Sequence, residues 1–243
     1  MIELHKVRHV FLDADDTLFR VRGSVGTAYA RYFQLHGLDV SADQIDQVVP
    51  QAWRELESEY VNEAEEYQAN RDRDVAIWSR FISNIFQQFS SKPVPAALLR
   101  ELHGHFAKAE SRVLTSFAVD FVELCKRLNL STGILTNNDH RIHKLIPDLG
   151  IAHHFDHVFC ASDLGYRKPS PNVFRGVEQR IGATPEEMLY VGDCDFADYQ
   201  GALSAGWQAV WFNQGGRKTA DNIRAEIRCF QELIEIFEQS LSS

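Results

Sequence analysis

Val10, Phe11 and Leu12 form an apolar run that passes straight into Asp13, Asp15 and Asp16. An unbroken apolar run with a polar end predicts a short strand buried on both faces, as in a parallel sheet. From about residue 24 to residue 108 that texture disappears and apolar residues recur at helical intervals. They group as Tyr29, Tyr32 and Phe33, then Ile45, Val48, Val49, Ala52, Trp53 and Leu56. Ile77, Phe81, Ile82, Ile85 and Phe89 follow, and then Leu98, Leu99, Leu102 and Phe106. This spacing predicts four or five helices packed as a small bundle. Ser41 and Pro95 stand where helices begin, and residues 71–74 support the start of another. Residues 19–24 predict a turn or flap. The acidic series Glu55, Glu57, Glu59, Glu63, Glu65 and Glu66 predicts a solvated helix face.

From about residue 113 strands and helices alternate. Apolar runs predict strands over 130–135, 158–160, 188–192 and 208–212. Helical spacing predicts helices over 116–128, 141–149, 172–181 and 196–205, and an amphipathic one over 227–241 with Phe230, Leu233, Ile234, Phe237 and Leu241 on one side. Alternation of this kind builds right-handed βαβ units and a mostly parallel sheet. The predicted fold is therefore α/β: a Rossmann-like core of residues 1–19 and 113–243. A smaller all-helical domain, residues 20–112, is inserted after the first strand, above the strand ends.

Composition narrows the class. A chain of 243 residues that is 44% hydrophobic suffices for a core domain with an insert. No stretch approaches the roughly 20 apolar residues of a membrane span, so no membrane partner is expected. Residues 1–9 lack the apolar centre of a signal peptide. A formal charge of −9 disfavours nucleic acid. Cys125, Cys160, Cys194 and Cys229 form no CxxC pair and predict reduced thiols in a cytoplasmic protein. Histidine clusters at His103/His105, His140/His143 and His153/His154/His157 have no Cys at ligand spacing, which predicts surface and loop histidines rather than a zinc site.

The candidate chemistry gathers at strand ends. Three carboxylates close together raise each other's pKa unless a cation offsets them. The loop at Asp13, Asp15 and Asp16 is therefore either fully solvated or a site for a divalent metal that prefers oxygen ligands, such as Mg²⁺. Thr136 follows Gly133-Ile134-Leu135, where its hydroxyl and the N–H groups near Asn137 can bond phosphoryl oxygens. Lys168 lies just before a helix and offers a point charge to an oxyanion. Asp193 and Asp198 add acids at another strand end. Each alone has a structural explanation: Thr136 as a helix cap, Lys168 as a loop lysine, Asp193 and Asp198 as first-turn acids. A parallel sheet, however, collects all these ends at one edge, where open α/β sheets bind ligands.

The stretch Asp13-Ala-Asp15-Asp-Thr17 resembles the first motif of the haloacid dehalogenase-like (HAD) hydrolases. Leu135-Thr136-Asn137-Asn138 resembles the second motif, Lys168-Pro169 the third, and Gly192-Asp193 to Asp198 the fourth. The resemblance covers about 8–23 and 113–213. Asp16 and Asn138 stand where many members have Gly, and both types tolerate turns. The resemblance implies a phosphatase with Asp13 as nucleophile, forming an aspartyl-phosphate, and Asp15 as general acid and base. It implies Mg²⁺ held by Asp13, the Asp15 carbonyl and Asp193. Phosphate would meet Thr136, Asn137 and Lys168. Asp198 would act from behind, through a water on the metal or by orienting Lys168. The insert resembles the helical cap of one branch, in which the cap selects a small phosphorylated metabolite such as a nucleotide or a sugar or glycolate phosphate. Arg20, Arg22 and Arg73 are candidates for that selection. No protein partner is implied.

Rival readings differ in testable ways. Dehalogenases of the family lack an acid at the place of Asp15 and need no metal. A phosphomutase would use the same residues and return the phosphoryl group. Response-regulator receivers place the phosphorylated Asp after their third strand, whereas here the acid pair ends the first. A phosphate-binding protein without turnover would carry no reason for the full set of groups.

Overall fold

The computed structural model describes residues 2–61, 67–217, 223 and 225–240. The chain divides into two compact units, residues 1–20 with 114–243, and residues 21–113.

The first unit starts with β1 (His9–Leu12). Two short strands, β2 (Phe19–Val21) and β3 (Arg112–Leu114), pair with each other where the chain passes between the units. Residues 19–24 were expected as a turn or flap; three of them form a strand instead, because their pairing partners lie some 90 residues on.

The second unit holds α1 (Val25–Leu35), α2 (Ala42–Tyr60), α3 (Arg71–Gln87) and α4 (Ala96–His105). Ser24, Ser41 and Asn70 cap the first three by accepting hydrogen bonds from Thr27, Gln44 and Arg73 N–H, each cap contributing about 1 kcal/mol. Phe33, Ile45, Leu56, Ile77, Phe81, Ile85 and Leu98 form its buried centre. Glu55, Glu57 and Glu59 lie on α2. Glu63, Glu65 and Glu66 fall outside the described residues.

The first unit resumes with α5 (Ala118–Arg127), β4 (Ser131–Thr136), α6 (Ile142–Asp148), β5 (His157–Cys160), α7 (Ala161–Leu164), α8 (Pro171–Ile181) and β6 (Met188–Gly192). After a π-helical turn over Asp195–Gln200 come α9 (Gly201–Ser204), β7 (Gln208–Phe212), β8 (Glu226–Ile227) and α10 (Phe230–Ser240). One helix was expected over 196–205. Its first part is widened instead, with Tyr199 N–H reaching back five residues to the Cys194 carbonyl at 3.2 Å. The last helix begins at Phe230, later than expected, because Glu226–Ile227 joins the sheet; Leu241 lies outside the described residues.

The sheet is six-stranded in the order β5-β4-β1-β6-β7-β8. All five pairings are parallel. The fold is therefore α/β and Rossmann-like. On one face Phe11, Phe174, Tyr190, Trp207 and Trp211 pack together, with Phe174 edge-on to Trp207 at 5.1 Å. On α5 and α10, Phe121 meets Phe230 at 5.8 Å and Phe237 at 5.2 Å. Gly133 is required by this packing, since a Cβ there would lie 2.2 Å from the Phe11 ring. The chain runs from β1 to β4 and β5 on one side, then to β6 on the other. β1 and β6 therefore flank a topological switch point, the expected position of a ligand crevice.

Candidate active site

Register explains why the motif residues meet. Leu12 lies opposite Ile134 on β4 and Val191 on β6. The residues just beyond, Asp13, Thr136 and Asp193, therefore emerge at one edge. Asp13 N–H extends the ladder to the Val191 carbonyl at 2.9 Å. After it the chain turns sharply. Leu18 and Phe19 N–H both donate to the Ala14 carbonyl, at 2.9 and 3.0 Å. Asp16 takes a left-handed φ of 57°, a conformation Asp adopts more readily than most side chains.

Lys168 is the hub. Its buried ammonium donates at 2.6 Å to Asp13 Oδ1, Asp198 Oδ1 and the Tyr190 hydroxyl. An ammonium has three N–H bonds, so this one is fully used. The Tyr190 hydroxyl in turn donates a hydrogen bond to the Leu135 carbonyl at 2.5 Å. Burial disfavours the Lys168 charge, but Asp13 and Asp198 outweigh it and its pKa is raised. Asp198 is held in turn by Cys194 N–H, which donates to its Oδ2 at 2.9 Å. Gly192 makes room for it, because a Cβ there would stand 2.4 Å from the Asp198 carboxyl carbon. The π-helical turn that carries Asp198 is the kind of irregularity that often marks functional positions.

The other predicted residues are also placed. Asn137 faces Lys168 twice: its Nδ2 donates to the Lys168 carbonyl at 2.9 Å and its Oδ1 accepts from Lys168 N–H at 2.8 Å. Its side chain thus positions the lysine. Thr136 is buried, and its hydroxyl accepts from Asn138 N–H at 3.1 Å. Asn138 Nδ2 donates to Asp15 Oδ2 at 2.6 Å, which holds the Asp15 carboxylate at the Asp13 loop. Arg22 turns to the backbone carbonyls of Glu110 and Arg112, and Arg73 to the Glu59 carbonyl. Both are engaged locally in the helical unit.

Asp193 lies on the open side. Its carbonyl accepts from Trp211 Nε1 at 2.8 Å and from Arg217 at 2.6 Å, and Arg217 also reaches its carboxylate at 3.2 Å. A cleft of about 250 Å³ lined by Asp16, Arg20, Asp193, Phe212, Gln214, Gly215 and Arg217 opens there. Tyr190 and Arg217 were not foreseen. The signal for Tyr190 was a lone hydroxyl within the apolar run of β6; Arg217 carried none.

Carboxylate oxygens of Asp13, Asp193 and Asp198 lie within 4.8 Å of one another. Burial, the largest cause, holds Asp13 above the usual carboxylate range, partly countered by Lys168 and reinforced by Asp198. Burial likewise raises Asp193, with Asp198, Asp13 and Asp16 adding to it. Negative charge thus exceeds what Lys168 and Arg217 balance. An oxygen-only, acid-rich donor set of this kind fits a hard divalent cation.

An acid cluster and a buried lysine at the carboxyl ends of parallel strands stand where open α/β sheets bind their ligands. The chain belongs to the haloacid dehalogenase-like hydrolases, whose family profile matches residues 7–206. Haloacid dehalogenase-like hydrolase domain-containing protein 3 of Mus musculus is 27% identical over 206 residues, 83% of this chain and 80% of that protein. A phosphoserine phosphatase of Thermus thermophilus is 35% identical over 147 residues, 57% of this chain and 56% of that one. A crystal structure of Bacillus subtilis YfnB bound to magnesium matches with a TM-score of 0.76 at 23% identity, covering 95% of this chain and 98% of that one. Solved dehalogenases, among them an L-2-haloacid dehalogenase of Xanthobacter autotrophicus, share the fold as well. At such identities the structural likeness carries the fold alone. Among the described residues no helix is long and apolar enough to cross a membrane.

Proposed function

We propose that this chain is a Mg²⁺-dependent phosphomonoester hydrolase acting on a small phosphorylated metabolite. The observation that carries the reading is the Lys168 ammonium, bonded at 2.6 Å to both Asp13 and Asp198, with Asp193 in the same acid cluster. Lys168 holds one Asp13 oxygen and leaves the other to attack phosphorus in line, forming an aspartyl-phosphate as the P–O bond to the leaving group breaks. Asp15, kept at the loop by Asn138, gives its proton to the leaving oxygen and then takes one from the water that cleaves the intermediate. Thr136 donates its hydroxyl to an equatorial oxygen, while Lys168, whose N–H bonds are already placed, contributes through its charge. Asp13, Asp193 and the Asp15 carbonyl would hold Mg²⁺, with Asp198 within reach of the same position. The ion would shield the anionic nucleophile from the anionic phosphate. Residues 20–112 serve, in this proposal, as the cap that selects the leaving group. The presence of Asp15 favours phosphate over carbon–halogen chemistry, and the name of the Thermus relative points the same way.

The test is a panel of phosphorylated metabolites with purified protein, read as free phosphate with Mg²⁺ and with EDTA. Phosphate release that depends on Mg²⁺ is expected. Isomer formation without phosphate would replace the reading with a phosphomutase. Halide release from 2-haloacids in EDTA would replace it with a dehalogenase.

A further inference from the structure

The edge strand of the sheet carries a second cluster, of different chemistry. Cys160 ends β5, His143 lies on α6 and Asp163 on α7. Cys160 Sγ is 3.2 Å from Asp163 Oδ2 and 3.9 Å from His143 Nε2, and His143 Nε2 is 2.7 Å from Asp163 Oδ2. We propose that Cys160 Sγ, His143 Nε2 and Asp163 Oδ2 form a binding site for Zn²⁺, separate from the acid cluster and independent of the phosphatase reading.

The donor chemistry supports this choice. One thiolate, one imidazole and one carboxylate suit a borderline-soft divalent metal, whereas the oxygen-only cluster at Asp13 suits a hard one. Tetrahedral zinc with bonds of about 2.0–2.3 Å sets its donors roughly 3.3–3.6 Å apart. The three separations here straddle that span, so binding needs shifts of only about half an ångström. Helix capping accounts for Asp163 facing Cys160, since its carboxylate also accepts from Cys160 N–H at 3.0 Å. Capping does not account for His143, which reaches the same oxygen from another helix, 20 residues away. The thiol is buried and the imidazole exposed, so a metal would enter from the His143 side, with water as the fourth ligand of a tetrahedral site.

On binding, the Cys160 thiol gives up its proton to solvent as the metal–sulfur bond forms. The His143–Asp163 hydrogen bond opens, and the Nε2 proton moves through solvent to Nδ1, leaving the neutral tautomer whose Nε2 lone pair binds the metal. Cys160 is in register with Thr136, and Asp163 lies five residues before Lys168. A metal here would therefore clamp together the segments that carry the Thr136 and Lys168 loops.

Co²⁺ is the optical probe, titrated into the full chain with excess Mg²⁺ present as a competitor for oxygen-only sites, and the thiolate band distinguishes the Cys160 site from any Co²⁺ held by the acid cluster. The expected result is one Co²⁺ per chain with a thiolate-to-metal band, displaced by one Zn²⁺ and accompanied by release of one thiol proton. His143→Ala alters an exposed side chain and should weaken binding on the order of 100-fold or more, since even outer groups around a metal matter by about 10- to 100-fold. Cys160→Ser should lose the band and Cys194→Ser should keep it, with circular dichroism confirming that each variant is folded. Wild-type protein that binds no Co²⁺ under these conditions would overturn the proposal. So would unchanged affinity in His143→Ala, or a band that disappears with Cys194 instead of Cys160.

Discussion

The two units bury different things. The helical unit is held by an apolar centre of residues such as Phe33, Ile45, Phe81 and Ile85, and its two buried charges among the described residues lie apart in sequence: Asp74 accepts from the Tyr60 hydroxyl at 2.8 Å, and Arg112 donates to Ser111 Oγ at 3.0 Å. The other unit buries Asp13, Asp139, Arg167, Lys168 and Asp198 beside its apolar sheet. Ions taken out of water cost several kcal/mol each before pairing returns part of it. The helical unit is arranged for stability, whereas the sheet unit retains a costly ionic cluster where strand ends converge. Reactive groups are expected in the second kind of interior, and the comparison can be broken by mutating each.

The largest effects belong to the acid loop. Asp13→Asn should lower phosphate release on the order of 10⁴-fold or more, as loss of a nucleophile does, with the unfolding midpoint little changed. Asp15→Asn leaves Asp13, the proposed nucleophile, in place. With p-nitrophenyl phosphate, whose leaving group needs little protonation, it should release about one nitrophenol per site and then stall as phospho-Asp13. Rapid-quench kinetics and intact mass read both. Multiple turnover by Asp15→Asn at the unmutated rate would remove Asp15 from the mechanism, and a burst that survives Asp13→Asn would move the nucleophile.

The reciprocal change lies in the apolar centre. Ile85→Ala should cost about 2–5 kcal/mol in denaturant unfolding through the cavity it leaves, with kcat unchanged below the transition. A fall in kcat at full folding would show that the helical interior is not merely structural.

A matched pair of tyrosines sharpens the contrast. Tyr60→Phe removes the hydroxyl bonded to Asp74, and Tyr190→Phe removes the one between Lys168 and Leu135. Each should cost about 1–3 kcal/mol of stability, because a buried group loses a partner. Only Tyr190→Phe should also lower kcat, by roughly tenfold for about 1.4 kcal/mol of lost positioning. Equal kcat values in the two variants would take Tyr190 out of the site's support.

The smallest effect is one the units share. His9 and His105 both have lowered pKa values, from burial first; at His105, Arg31 and Arg112 add to it. A histidine whose folded pKa lies below its unfolded value of about 6.5 binds more protons when unfolded. Its contribution is complete above pH 6.5 and is lost as pH falls through that value towards the folded pKa. The histidine contribution to unfolding free energy should therefore decline from pH 7 to pH 5, opposite in sign to that of the raised Asp13 and Asp193 carboxyls, and His9→Gln and His105→Gln should each remove part of that decline from the measured slope. Lack of any change in slope would show that neither imidazole is buried enough to matter.

By itself the sequence determined the elements whose signals are local. The apolar run before Asp13, the run over Met188–Gly192 and the one over Gln208–Phe212 mark strands, because a strand buried on both faces needs continuous apolar residues. Their alternation with amphipathic segments was enough for a parallel α/β sheet, and such a sheet brings its carboxyl ends together. The presence of Asp13, Thr136, Lys168, Asp193 and Asp198 near one edge was thus legible from order alone. Tertiary structure decided what each group touches. That Lys168 uses all three N–H bonds on Asp13, Asp198 and Tyr190 depends on separations of 155, 30 and 22 residues. The pairing of β2 with β3, the approach of Arg217 to Asp193, and the meeting of His143 with Cys160 depend likewise on distant residues. Local propensity specifies which residues form a strand or a helix. Which side chains then fall within 3 Å of one another is set by register, twist and packing across elements, and those exist only in the folded chain.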